Sequence, residues 1–330
     1  MSDPEVSAAG AGDSVEEAVH PLPADPTPPE KKRSDLPARL ATAAVLVPTV
    51  LYVIYVGGLL ILGFVIVITA LAQREFYGLI EDKGAQPIVG FGLSAGVALP
   101  VVAYLGNEYH ATLVMTVSLL AVMIAQLGRQ RIAESLASIS GTFFGVFYVG
   151  WLLSHAIVLR NFDTQVVLRY GADAAQREGI LPGAGIFLLV FTLVAVVLCD
   201  AGAYFSGRAY GRRKLAPRIS PGKTIEGAVG GVLAGCLGGL ACKGVFEIFW
   251  PELSLGLGWI ATGVFAFIVA CLAIVGDLVE SLLKRDAQVK DAGSLLPGMG
   301  GILDRVDSPL LGIPAMYYLM LFYVYMKVNL

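Results

Sequence analysis

Asp277, Glu280, Ser281 and Lys284 recur at i, i+3, i+4 and i+7, so a helix running through them carries all four on one face. Asp304 and Asp307 repeat the i, i+3 spacing just before another apolar stretch. Carboxylates drawn from two helices can hold a hard cation such as Mg²⁺, which prefers oxygen ligands and keeps substrate phosphate in its shell. Two carboxylates from one helix and one from the other would make such a set. Pro297-Gly298 and Gly300-Gly301 place a bare backbone beside them, and Lys284, Arg285, Lys290 and Arg305 are on hand for phosphate oxygens. By spacing alone, the same stretch also fits a solvated loop whose charges neutralise one another.

A second cluster lies upstream, in residues 200–231, DAGAYFSGRAYGRRKLAPRISPGKTIEGAVGG. Its Gly222-Lys223-Thr224 resembles the end of a P-loop. A P-loop needs a glycine where this chain has Pro217, and a buried strand before it, so that assignment is rejected. What survives is simpler. Gly222 lets backbone amides approach an anion, Lys223 supplies charge, and Thr224 opens a helix whose N-terminal dipole favours phosphate. Arg212, Arg213 and Lys214 fit binding to anionic lipid headgroups. Ser220, Lys223 and Glu226 sit beside the turn and lean towards function.

These clusters are set in a chain of 330 residues that is 56% hydrophobic and 15% charged, with mean hydropathy +0.73. Soluble domains carry about 25% charged residues, so this composition describes a membrane protein. Ionisable residues against a membrane span cost about 3 kcal/mol or more each and are functional candidates for that reason. Nine apolar segments approach span length: 39–56, 58–77, 87–105, 111–127, 136–159, 183–206, 225–249, 257–283 and 308–327. The first two share a Gly57-Gly58 turn. If the N-terminus is cytoplasmic, the inside loops carry most of the 23 Lys and Arg, including Arg208 to Lys223 and Lys284 to Arg305. The positive-inside rule then supports nine spans, with both charged clusters facing the cytoplasm. The expected class is all-α and polytopic.

Residues 1–37 hold seven prolines and eight acids against three bases, with no apolar periodicity, and are expected to be a disordered, retained cytoplasmic tail. Residues 38–330 are the membrane domain, divided into N-terminal helices (38–182) and catalytic helices with their loops (183–330). Gly227, Gly231, Gly235 and Gly239 form a four-residue repeat that suits close helix packing or dimerisation. The four cysteines lie in apolar stretches without CxxC spacing and read as buried, inert thiols. His20, His110 and His155 are scattered, which argues against histidine chemistry.

Ser281, Lys284-Arg285, Lys290-Asp291, Leu296-Pro297, Gly300-Gly301, Asp304-Arg305 and Asp307 together resemble the signature of the CDP-diacylglycerol synthases, the phosphatidate cytidylyltransferases. Residues 200–231 look like that family's upstream motif. One position departs: Met299 stands where the family's pattern has histidine before Gly-Gly. The resemblance implies that CTP and phosphatidic acid give CDP-diacylglycerol and pyrophosphate, at the cytoplasmic rim of a cell membrane. It implies one or two Mg²⁺-type sites on Asp277, Asp304 and Asp307, with a monovalent cation also allowed for. Lys223, Lys284, Arg285, Lys290 and Arg305 would bind phosphates. Ser220 and Ser281 would be hydrogen-bonding partners, with Gly300 and Gly301 lining the substrate, and Asp291 would orient a lysine or join the metal shell. The further expectations are a homodimer, contact with membrane lipids and no nucleic-acid partner. The rivals are a CTP-dependent polyprenol kinase and an anion transporter.

Overall fold

The structure is a computed structural model that describes residues 36–329, apart from Asn107, Gln130, Arg131, Ala133, Leu255 and 296–299. The expected tail therefore lies outside the described residues except for Leu36 and Pro37, which open the first helix. Pro297, Gly298 and Met299 also lie outside them.

The described chain is helical, with one small hairpin. Helix α1 (Leu36–Val56) turns at Gly57 (φ 67°) into α2 (Gly58–Asp82), as the Gly57-Gly58 pair implies. Helices α3 (Val89–Leu105) and α4 (Glu108–Leu127) follow. Helix α5 (Ser135–Gly145) passes through a π-helical segment, Val146–Trp151, into α6 (Leu152–Arg160). Two short helices, α7 (Phe162–Tyr170) and α8 (Ala172–Arg177), lead to α9 (Ala184–Tyr210). Strands β1 (Lys214–Ala216) and β2 (Ser220–Thr224) pair antiparallel, and α10 (Ile225–Phe249), α11 (Trp259–Asp286) and α12 (Leu303–Asn329) complete the chain.

Among the described residues, seven helices are long and apolar enough to cross a membrane. Two of the nine expected segments instead form shorter apolar helices, Ala41–Val56 and Val89–Leu105. At 1.5 Å per residue, 17 residues span about 26 Å, short of the roughly 30 Å of bilayer hydrocarbon. Large apolar side chains such as Leu59, Val197, Leu237, Ile260 and Phe322 face outward, as lipid contact requires.

The glycine repeat is spent inside the chain. A Cβ on Gly227, Gly231 or Gly235 would lie 2.9, 2.8 or 2.9 Å from the carbonyl oxygens of Ala203, Cys199 and Ala195. These partners descend α9 by one turn each, so α10 lies in backbone contact along it. That contact fixes the connecting hairpin over the end of the pair.

Candidate active site

The site forms where α9, the hairpin, α10, α11 and α12 meet. Carboxylate oxygens of Asp277, Glu280 and Asp307 lie within 4.8 Å of one another, a group of a size that could hold a metal ion. Asp277 and Glu280 come from one face of α11, as their spacing requires, and Asp307 from the second turn of α12. Glu280 is fully buried, and its Oε1 has no hydrogen-bond donor among the described residues. A buried carboxylate oxygen left in this state is destabilising unless a cation completes it. Three oxygen donors of one sign are the chemistry a hard divalent ion requires, so the residues fit a divalent cation.

Asp304, expected among the ligands, sits differently. Its Oδ1 accepts from Lys284 Nζ at 2.7 Å, and its Oδ2 accepts from the backbone N–H groups of Gly301 and Ala292 at 2.8 and 3.1 Å. Lys284 also pairs with Glu280 Oε2 at 2.5 Å. One ammonium thus bridges α11 to the first turn of α12. Glu280, rather than Asp304, completes the acidic group with Asp277 and Asp307.

The second cluster comes to the same place. Lys223 Nζ lies 2.6 Å from Asp277 Oδ2. Thr224 caps α10, accepting from Gly227 N–H at 3.1 Å, as its expected place at the helix start requires. A cavity of about 620 Å³ is lined by Asp200, Ser220, Gly222, Lys223, Thr224 and Asp277, among others. Glu226 has a structural duty: it accepts from the backbone N–H groups of Arg212 and Arg213 at 3.1 Å and from Arg213 Nε at 3.0 Å, closing the turn after α9. Arg285 donates from Nε to the Ile219 carbonyl at 3.3 Å, tying the hairpin to α11.

The remaining expected residues surround this centre. Ser281 Oγ is 3.5 Å from Asp277 Oδ1. Lys290 and Asp291 are exposed in the segment after α11, and Arg305 is exposed on α12. Gly300 has φ 84°, and a Cβ there would lie 2.8 Å from Asp304 Oδ2. Gly301 packs against Glu75, where a Cβ would fall 2.5 Å from Oε2.

Four residues were missed as site members. Asp200 accepts from Ser308 Oγ at 3.5 Å and lines the large cavity. Glu280 lies on the expected face but was not counted as a ligand. Glu75, on α2, accepts from the N–H groups of Ile302 and Leu303 at 3.0 and 2.7 Å, and so caps α12 from the other half of the chain. Tyr148, in the π-helical segment, is buried, and its hydroxyl has no partner among the described residues. It lies within electrostatic range of Glu280, Asp307 and Asp277. Insertions of this kind often accompany functional sites, and nothing in the sequence announces this one.

The model of the cytidylyltransferase family matches residues 37–323. A phosphatidate cytidylyltransferase of Synechocystis sp. is 29% identical over 289 residues, covering 85% of this chain and 94% of the relative. One of Brucella suis is 31% identical over 289 residues, covering 87% and 93%. One of Haemophilus influenzae is 44% identical over 143 residues, covering 43% of this chain and 48% of that protein.

Proposed function

Because this chain belongs to the cytidylyltransferase family, we propose that it joins CTP to phosphatidic acid at the acidic group described above, giving CDP-diacylglycerol and pyrophosphate. The single observation that carries the location is the convergence of Lys223, from the turn before α10, on the Asp277–Glu280–Asp307 group.

A phosphate monoester is already anionic near neutral pH, with a second pKa of about 6, so the nucleophile needs little help from a base. An oxygen of the lipid phosphate attacks the α-phosphorus of CTP. The new P–O bond forms as the bond to the β-phosphate bridging oxygen breaks, and pyrophosphate leaves. The barrier is electrostatic, since one anion must approach another. Asp277, Glu280 and Asp307 would hold Mg²⁺, at one or two sites, and the ion would neutralise charge on the reacting phosphates. Lys223 and the amides of the Gly222 turn bind the triphosphate at the α10 N-terminus. Lys284 draws charge from Glu280 and Asp304 and keeps α11 and α12 in register. Arg285 and Lys290 border the phosphate path, Ser220 and Ser281 add hydrogen bonds, and Asp291 orients Lys290. Gly300 and Gly301 keep the backbone close enough to hold Asp304.

The charge bias of the loops supports a nine-span arrangement with the tail and active site cytoplasmic, in the cell membrane, with 183–330 as the catalytic part. Helix α3, at 17 residues, would cross with local thinning of the bilayer. A homodimer and a monovalent cation remain part of this reading. The relatives' names do not favour the kinase or the transporter.

Incubation of the purified protein with radiolabelled CTP, phosphatidic acid and Mg²⁺, followed by lipid extraction, tests it. Label in a lipid product, released with pyrophosphate, is expected. Phosphorylated lipid with CDP, or no lipid label, would overturn it.

A further inference from the structure

One cavity has no part in the chemistry above. It is a slot of about 180 Å³ between α1, α2, α6, α9 and α12. Val50, Ile61, Val65, Leu153, Leu193 and Ile313 form much of its wall. Among its lining residues Arg305 alone carries charge. Arg305 follows Asp304 in the chain and stands on the first turns of α12, two residues before Asp307 of the acidic group, so the one charged point of the slot lies on the helix that carries Asp307. The slot shares no lining residue with the 620 Å³ cavity that contains Lys223 and Asp277.

An apolar slot with a single guanidinium next to a phosphate-transfer site is complementary to a phosphate ester bearing a hydrocarbon chain. We propose that it seats an acyl chain of phosphatidic acid, with Arg305 holding the lipid phosphate. This rests on the reading above. The nucleotide is then received from the hairpin side and the lipid from the α1–α2 side, meeting at the start of α12. Bilayer tails are as apolar as the slot, so seating a chain there gains little affinity. Its effect is positional: it fixes how far the phosphate projects towards Asp307.

The test uses the full-length protein in vesicles. Phosphatidic acid carrying a diazirine midway along one acyl chain is photolysed on the wild-type protein, and labelled peptides are mapped by mass spectrometry. Labels on α1, α2 and α6 near Val50, Ile61, Val65 and Leu153, displaced by unlabelled phosphatidic acid, are expected. Labels confined to the outward faces of α9 and α10 would overturn the proposal. Ala156→Phe, which fills the slot, is expected to lower kcat/KM for phosphatidic acid about tenfold or more with KM for CTP unchanged, because a misplacement of about 1 Å can cost ~10²-fold. Unchanged kcat/KM in a folded variant would equally overturn it. The labelling needs no variant and no turnover. Absence of cytidylyl transfer by the wild type would sink the enzymatic reading alone, while the label positions would still decide the slot.

Discussion

Lys223 Nζ stands 2.6 Å from Asp277 Oδ2, so the turn before α10 delivers a positive charge to a carboxylate of the acidic group on α11. Without metal, the lysine supplies part of the charge that the carboxylates lack. In the proposed reaction the same lysine would turn to phosphate once metal and nucleotide bind. Lys223→Met removes both roles and keeps the length of the side chain. Turnover is expected to fall at least ~10²-fold, the typical loss of one transition-state donor. Mn²⁺ binding without nucleotide, followed by electron paramagnetic resonance, is expected to tighten several-fold, because a competing cation is gone. Weaker Mn²⁺ binding in this variant would contradict the arrangement.

Glu280 completes the acidic group with Asp277 and Asp307, a place that spacing alone leaves uncounted. Glu280→Gln keeps shape and removes charge from a fully buried position. We expect it to raise the Mg²⁺ concentration for half-maximal activity at least about tenfold, a loss of ~1.4 kcal/mol in binding. Asp304→Asn, by contrast, should mainly lower thermal stability, since its carboxylate serves Lys284 and two backbone amides. Activity titrated with Mg²⁺, beside melting curves in detergent, separates the two. Equal Mg²⁺ shifts in both variants would place Asp304 among the ligands.

Glu75 satisfies two of the orphan N–H groups at the start of α12. Glu75→Ala leaves both without that partner and should cost about 2–4 kcal/mol, at roughly 1–2 kcal/mol for each group. Glu75→Gln retains one acceptor and should fall between. Both should lower kcat more than they raise KM for CTP, because α12 carries Asp304 and Asp307 while the cavity proposed for the nucleotide stands on α9, the hairpin, α10 and α11. Steady-state kinetics with melting curves would show the order Glu, Gln, Ala. Identical behaviour of all three would rule out the cap.

Tyr148 buries a hydroxyl without a partner among the described residues. Replacing it by phenylalanine removes an uncompensated polar group, so Tyr148→Phe should stabilise the protein without substrate by about 1 kcal/mol. If the hydroxyl is held for the acidic group and its bound phosphates, the same change lowers kcat about tenfold, within the range of a single hydrogen-bonding group. A higher melting temperature together with slower turnover is the expected pair. A rise in both would assign Tyr148 to packing.

Much of this was legible before any coordinates, for identifiable reasons. Helix periodicity alone put Asp277, Glu280, Ser281 and Lys284 on one side of α11. Long apolar runs marked the helices, although length could not tell the short α1 and α3 segments from full spans. The Gly227–Gly239 repeat announced a close neighbour but not which one. Three features were invisible because they depend on pairings that helix periodicity does not specify. The β1–β2 hairpin exists only because 214–216 and 220–224 meet, so Ser220–Thr224 read as a loop. Glu75 follows Arg74 and resembles a surface ion-pair member, and its partners are more than 220 residues away. Glu226 sits beside the Gly222 turn, yet spends its oxygens on Arg212 and Arg213.

The carboxylate of Glu75 gives the first helices a stake in chemistry they do not perform. A fragment starting at α9 would retain the whole signature and still lose the anchor that aims α12. Division of labour along such a chain is therefore deceptive. Severing the early segment would leave the acidic group's own side chains in place and unmoor the helix that presents Asp307.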